Sequence, residues 1–306
     1  MARPDGLHVN QLLTNVSIGY RNPSYIADQV FPVVPVKNRS DIVPKYDRSH
    51  WFRSDAKMRA PGTKSERGNF TVDITDTYYC GRYSWAAEVD EDSRANTDEP
   101  FDLERDATEL ATDKILLLRE AALAAAAFTT TKWANDDAGG GDFTQWSNYG
   151  SSDPLVDFTT YQDEVGKQVW NKLRWHPSVV DSIKFTQMGV VSEQLFQSLT
   201  GIGKLLIGRS LITTQPEGTA EASVTLSRVW GKHALFLYVN PSVSLMRPTA
   251  GMTFTWSGAP ATNGAIQSIK QMRDEEREVD IFEANTYFAQ KITSNLAGTF
   301  LSGAVA

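Results

Sequence analysis

DLERDATELATDKILLLREAALAAAAFTTT, residues 102–131, carries no glycine or proline. Apolar residues recur at Leu103, Ala107, Leu110, the Lys114/Ile115 pair, Leu118, Ala122 and Phe128, close to helical spacing. Asp98 can cap such a helix and Pro100 fits its first turn. Acids crowd the end where the helix dipole is positive. About thirty residues at 1.5 Å each predict a rod of roughly 45 Å. One face is rich in alanine, which permits close approach of whatever packs on it.

The stretches before the rod have opposite charge. Residues 36–68 hold nine Lys or Arg against four acids, a net +5. Pro44, Pro61, Gly62 and Gly68 break this stretch, while Trp51, Phe52 and Met58 provide apolar anchors. It reads as a long two-stranded excursion, with alternating Phe70-Thr-Val-Asp-Ile-Thr as its returning strand. Residues 73–113 then hold thirteen acids against three arginines, a net −10. Two readings stand: a solvated acidic surface, or an acidic element covered by a neighbouring copy's basic loop.

Residues 1–36 are punctuated by Pro23, Pro32 and Pro35, which disfavour a helix and predict an extended arm. Val30, Phe31, Val33 and Val34 are its docking points, and the arm is expected to contribute little to the subunit's own fold. Asp136-Asp-Ala-Gly-Gly-Gly-Asp142 reads as a flexible linker and lacks the alternating ligands of a calcium loop. Residues 150–270 mix short elements. A helix is expected from Ser192, and strands at Lys204–Ile207, Val229–Trp230, His233–Val239 and Met252–Trp256. A charged stretch, Arg273–Asp280, precedes a long strand over Ile281–Ile292.

Composition bounds the function. The 306 residues are 41% hydrophobic and 22% charged with a net charge of −7, ordinary for a protein that buries a core. This balance argues against a general nucleic-acid or membrane binder. Cys80 is the single cysteine, so no intrachain disulfide forms, and no apolar leader opens the chain. The protein is therefore expected in the cytosol where it is made.

The sequence carries no recognisable catalytic motif. Gly201-Ile-Gly-Lys204 lacks the phosphate-loop pattern, since Ser198 and Leu205 stand where Gly and Ser/Thr are required. It reads as a turn. His8, His50, His176 and His233 have no metal-ligand spacing. No Gly-x-Ser-x-Gly elbow exists, and Trp133, Trp146, Trp170 and Trp175 lack basic interleaving and read as core. The expectation is no catalytic residue, no cofactor and no metal.

Several stretches carry a family likeness. Asn22-Pro-Ser-Tyr-Ile-Ala-Asp-Gln-Val-Phe-Pro-Val-Val-Pro-Val36 resembles the arm of tailed-phage major capsid proteins. The likeness continues through Trp51-Phe-Arg53, Arg59-Ala-Pro-Gly62, Asp92-Ser-Arg-Ala-Asn96 and Pro100-Phe-Asp-Leu-Glu-Arg-Asp-Ala-Thr108. It resumes at Ile183-Lys-Phe-Thr-Gln187, Val229-Trp-Gly-Lys-His233 and Pro248-Thr-Ala-Gly-Met-Thr-Phe-Thr-Trp256. The resemblance implies the α+β capsid fold first described for phage Hong Kong ninety-seven and shared with encapsulins. That fold has an N-terminal arm, an extended β-hairpin loop, a peripheral domain on a long spine helix, and an axial domain. Mapped here, they are arm 1–36, loop 37–78, peripheral domain 79–149 with 271–306, and axial domain 150–270. The interval between Tyr161 and Val169 is shorter than the family's pattern, which points to a reduced or rearranged axial domain.

The implied function is self-assembly, through pentamers and hexamers, into an icosahedral phage head around double-stranded DNA. The alternative is an encapsulin-type compartment shell. The implied partners are other copies of the chain, a portal, a separate scaffold and, as a further candidate, a cement protein, with DNA held without sequence-specific binding and no membrane. The implied location is the virion, assembled in a bacterial host's cytoplasm. An acidic wall suits a DNA container, because a strongly basic one would hold the genome and hinder its exit. The charge inversion then names candidate intersubunit contacts: Arg48, Arg53, Lys57 and Arg59 of one copy over Asp90, Glu91, Asp92 and Glu104 of the next.

Overall fold

The computed structural model describes residues 11–20, 22–43, 45–46, 54, 56, 58–65, 67, 72–97, 102–164, 193–216, 218–240, 249–260, 262 and 266–306. The chain forms two compact units. The first takes Met1–Asn22, Phe31–Leu118 and Asn240–Ser294; the second takes Pro23–Val30, Arg119–Val239 and Asn295–Ala306.

The expected rod is a helix over Leu103–Ala127, about 38 Å long at 1.5 Å per residue. Asp102 accepts the backbone N–H groups of Glu104 and Arg105, which opens it. It stops short of Thr131. Three threonines follow Phe128, Thr131 adopts a φ of 71°, and the Trp133 indole donates to the Ala127 carbonyl at 2.7 Å. The buried face keeps Ala107 and Ile115 of the expected stripe and elsewhere shifts by one residue, to Ala111 and Leu123. Ala107, Ala111, Ile115, Leu123 and Ala127 are buried, whereas Leu110 and Leu118 are exposed.

In the first unit a five-stranded sheet is built on β13 (Val279–Ile292), the long C-terminal strand expected from sequence. β13 pairs antiparallel with β11 (Gly251–Trp256), β12 (Gln267–Asp274) and β6 (Gly81–Asp90). β1 (Val33–Val36) runs parallel to β11, with Val33 opposite Thr253. Val33 and Val34 therefore dock on the chain's own sheet. β6 was not expected. It is an edge strand whose outer residues are largely exposed, so its alternation is masked by Arg82, Glu88 and Asp90.

The arm is the main correction. Residues Gln11–Gly19 form helix α1, because Pro23, Pro32 and Pro35 all lie beyond its C-terminus and leave this stretch unbroken. Leu13 joins a core with Ala87, Val89, Ala111, Ile115, Ile269 and Phe282. The Gln267 amide donates to the Ser17 carbonyl at 2.6 Å, and Thr112 donates to Ser17 Oγ at 2.8 Å. Phe31 is fully buried, and a Cβ on Gly251 would lie 2.3 Å from its ring. An arm that supplies core residues is part of the subunit's fold.

The two-stranded excursion is present at its base. β2 (Ser40–Ile42) pairs with β5 (Thr77–Tyr79), and β3 (Lys45–Tyr46) pairs with β4 (Val72–Asp73), both antiparallel. Beside it, Val43, Tyr78, Cys80, Met252, Phe254 and Tyr287 make a second core. Burial of Cys80 pushes its thiol up to about 11, so this cysteine is a packing residue.

The second unit holds the sheet β10–β14–β7, with β7 (Asn135–Ala138) parallel to β14 (Gly298–Ser302) and β10 (Ala234–Leu237) antiparallel to it. The expected linker is thus a paired strand and a tight loop. A Cβ on Gly139 would come within 2.2 Å of the Gly303 carbonyl oxygen, so that glycine serves close backbone approach. Phe143, Tyr161, Leu301 and Ala304 pack beneath with Trp146 and Phe236. Trp133 is buried, and Trp146 donates to Asp157 at 3.0 Å. Trp170 and Trp175 lie outside the described residues.

Helix Glu193–Thr200 ends at Gly201, whose φ of 69° makes the expected turn. Lys204–Ile207 has no strand pairing; the ladder falls instead at β8 (Leu211–Ile212) with β9 (Ser227–Arg228), just before Val229–Trp230. Ser192 and the interval after Tyr161 up to Val169 fall on or run into residues outside those described.

Candidate assembly surface

Four of the eight candidate contact residues lie on the basic loop. Arg48, Arg53 and Lys57 are outside the described residues. Arg59 is exposed and donates to Ser65 Oγ at 3.1 Å across a turn closed by Thr63 N–H to the Ala60 carbonyl. Gly62 takes a φ of 83° in that turn, a backbone region open to glycine. Met58 beside it is fully exposed, and Lys64 and Arg67 are exposed as well.

All four acids are among the described residues, and three have partners inside the subunit. Asp90 ends β6 and caps the short helix Glu91–Ala95 by accepting the Ser93 N–H at 2.9 Å, which lowers its pKa. Glu91 pairs with Arg273. Glu104, in the first turn of the spine helix, pairs with Arg94 at 2.5 Å. Asp92 is exposed on the same short helix. None of these partners is a loop residue.

Asp280 is the hub of this network. Its side chain is 8% exposed and receives Arg94 at 2.7 Å and Arg273 at 3.4 Å. Arg277 adds a two-pronged contact to Glu88, with its shorter prong at 2.6 Å, which lowers the Glu88 pKa. The tip between β12 and β13 can turn because the Asp274 carboxylate accepts two following backbone N–H groups and Glu278 adopts a φ of 53°. Sequence alone missed this set. Arg273 lies 182 residues from Glu91 and Arg277 189 from Glu88, and the β6–β13 pairing brings each to its partner.

A second polar constellation lies in the other unit. Glu120, fully buried, accepts the Ala27 N–H at 2.8 Å and the Trp230 indole N–H at 2.6 Å. Beside it Arg119, also buried, pairs with Asp28, and desolvation lowers its pKa. In the sequence this pair is visible only as an interruption of an apolar run.

Among the described residues no group of three His, Cys, Asp or Glu could hold a metal, and no helix is long and apolar enough to cross a membrane. His233 is the one histidine described; its Nδ1 accepts the Gly303 N–H at 3.0 Å.

No family model matches the sequence. Two curated relatives do, over most of their length. The major capsid protein of Burkholderia phage BcepMu is 22% identical over 96% of both chains. That of Pseudomonas phage JBD67 is 29% identical over 80% of this chain and 82% of its own. Over most of its length the chain is similar to phage major capsid proteins. Solved structures agree on the fold. A phage-related protein of Bordetella bronchiseptica RB50 matches with a TM-score of 0.71 at 19% identity, covering 98% of this chain and 99% of that one. The capsid of cyanophage P-SCSP1u matches with a TM-score of 0.54 at 10% identity, covering 99% and 92%. The mixed sheets and spine helix are thus an α+β capsid fold.

Proposed function

We infer that this chain is the structural protein of a phage head, self-assembling through pentamers and hexamers into an icosahedral shell around double-stranded DNA. The observation that carries this is the end-to-end match to a phage major capsid protein, joined to the capsid fold. Heterologous contacts that close into rings are the physical route from one folded subunit to such a shell.

The finer assignments rest on this reading. Residues 1–36 are the arm, 37–78 the extended loop, 79–149 with 271–306 the peripheral domain, and 150–270 the axial domain. Arg48, Arg53, Lys57 and Arg59 of one copy lie over the acidic segment of the next. Asp90, Glu91, Asp92 and Glu104 receive them: Glu91 remains 58% and Glu104 39% exposed, so each can accept a second cation. Each such pair is worth about 0–1 kcal/mol, and the effect comes from repetition around the shell. A portal and a separate scaffold complete the head, with a cement protein as a further partner. The role is structural and needs no catalysis. Assembly takes place in the cytoplasm of a bacterial host, and the product resides in the virion.

The test is the content of particles purified from infected or induced cells. Double-stranded DNA inside them supports the head. An enclosed cargo enzyme without DNA would instead support the compartment-shell alternative and overturn this reading.

A further inference from the structure

β6 borders β13 on one side and, among the described residues, pairs with no strand on the other. That edge is open: Arg82, Tyr83, Ser84, Trp85 and Ala86 are exposed in succession. The ladder decides which backbone groups face it. The Glu91 N–H donates to the Glu278 carbonyl at 3.3 Å, one step beyond the opposed pair of Asp90 and Val279. Hydrogen-bonded pairs alternate along an antiparallel ladder, so the odd-numbered residues of β6 bond to β13. Arg82, Ser84, Ala86 and Glu88 therefore turn their N–H and C=O groups outward.

Folded proteins protect such edges with charge, proline or a bulge. Tyr83-Ser-Trp-Ala-Ala87 holds no charge and no proline, and its register with β13 is unbroken from Gly81 to Asp90. The charges stand at its two ends, Arg82 and Glu88, spaced equally about Trp85. A second copy laid antiparallel about Trp85 would set Arg82 opposite Glu88 at both ends. In that register Ser84 also meets Ala86, so outward groups face outward groups, and each such pair exchanges two hydrogen bonds. Trp85 meets its own copy at the dyad, where an aromatic cross-strand pair is favourable. Arg82 and Glu88 already pair with Glu283 and Arg277, yet both remain exposed and each can take a second partner.

We propose that two copies of this chain join edge to edge through β6, antiparallel about Trp85, into one continuous sheet. The proposal rests on the reading that copies assemble. It adds an isologous contact that joins the rings closed by heterologous ones.

The test is oxidative crosslinking of the purified full-length protein, read on non-reducing gels beside sedimentation of the wild type. Cys80 is buried, so an introduced thiol reports alone. Trp85→Cys places two Cα atoms about 4.5 Å apart, within disulfide reach. In Tyr83→Cys each thiol faces Ala87 of the other copy, so the two lie about 13 Å apart. Covalent dimers should exceed those of Tyr83→Cys about tenfold or more in Trp85→Cys. Ser84→Pro removes an outward N–H and leaves the β13 ladder bonded, so adding it to Trp85→Cys should cut the dimer about tenfold. Trp85→Cys left uncrosslinked where the wild type assembles would overturn the edge pairing and leave the shell reading standing. Equal crosslinking in Tyr83→Cys, or crosslinking undiminished by Ser84→Pro, would overturn it as well. A wild-type chain that stays monomeric would overturn both.

Discussion

The Trp230 indole donates to the Glu120 carboxylate over 2.6 Å, and that ring lies so close to Gly208 that a Cβ there would sit 2.1 Å from Trp230 Cδ1. The tryptophan is fixed on one side by a buried charge and on the other by bare backbone. Gly208→Ala should displace the ring and destabilise the protein by about 1–3 kcal/mol, as overpacking of a filled core does. Chemical denaturation measures it, and a neutral variant would mean that the ring sits elsewhere.

Leu13 puts the arm inside the first unit's core, where it is 6% exposed. Leu13→Ala should cost about 2–5 kcal/mol. Deleting residues 1–30 should lower the thermal midpoint or prevent folding, read by circular dichroism. A deletion variant as stable as the full chain would show that the arm serves assembly alone.

Leu110 separates backbone from side-chain effects in the spine helix, being 48% exposed well inside it. Leu110→Pro should cost about 3 kcal/mol or more, because it removes an intrahelical hydrogen bond and clashes with the preceding turn. Leu110→Ala should stay within about 0.5 kcal/mol in the isolated subunit. Equal losses in the two variants would mean that the leucine side chain is buried.

The basic loop offers a charge test. Arg53→Glu, Lys57→Glu and Arg59→Glu combined should block assembly while circular dichroism of the subunit stays unchanged. High salt should weaken wild-type intermediates, since screening contracts to about 3 Å at 1 M. Assembly indifferent to the triple reversal would remove the loop from the interface.

Much of this architecture is legible in the sequence, and the failures have physical causes. Residues 103–127 declare themselves because nothing interrupts them, yet part of the buried face was read one residue off. Ala107 and Ile115 lie on the expected stripe and are buried, but Leu110 and Leu118 outweighed the small Ala111 that lets the sheet approach. β13 is legible because β-branched and aromatic residues (Val279, Ile281, Phe282, Tyr287, Phe288 and Ile292) recur along it with no Gly or Pro to break it. β6 is not, because an edge strand with solvated charges has no clean alternation. Helix α1 was lost by extending the prolines' effect backwards, although proline restrains mainly its own and the preceding residue. The glycines after Ala138 read as flexibility where Gly139 serves close packing. Of the candidate surface, the sequence supplied the two charge blocks. It could not supply Arg273, Arg277 or Asp280, which only β-pairing over long separation brings to the acids.

A chain that builds shells must associate with itself in solution. Sedimentation velocity of the purified full-length protein, with negative-stain electron microscopy of each boundary, tests it most directly. Discrete ring-sized species and megadalton closed particles that grow with protein concentration are expected. A folded chain that sediments only as a monomer or dimer at every concentration and salt would contradict shell assembly.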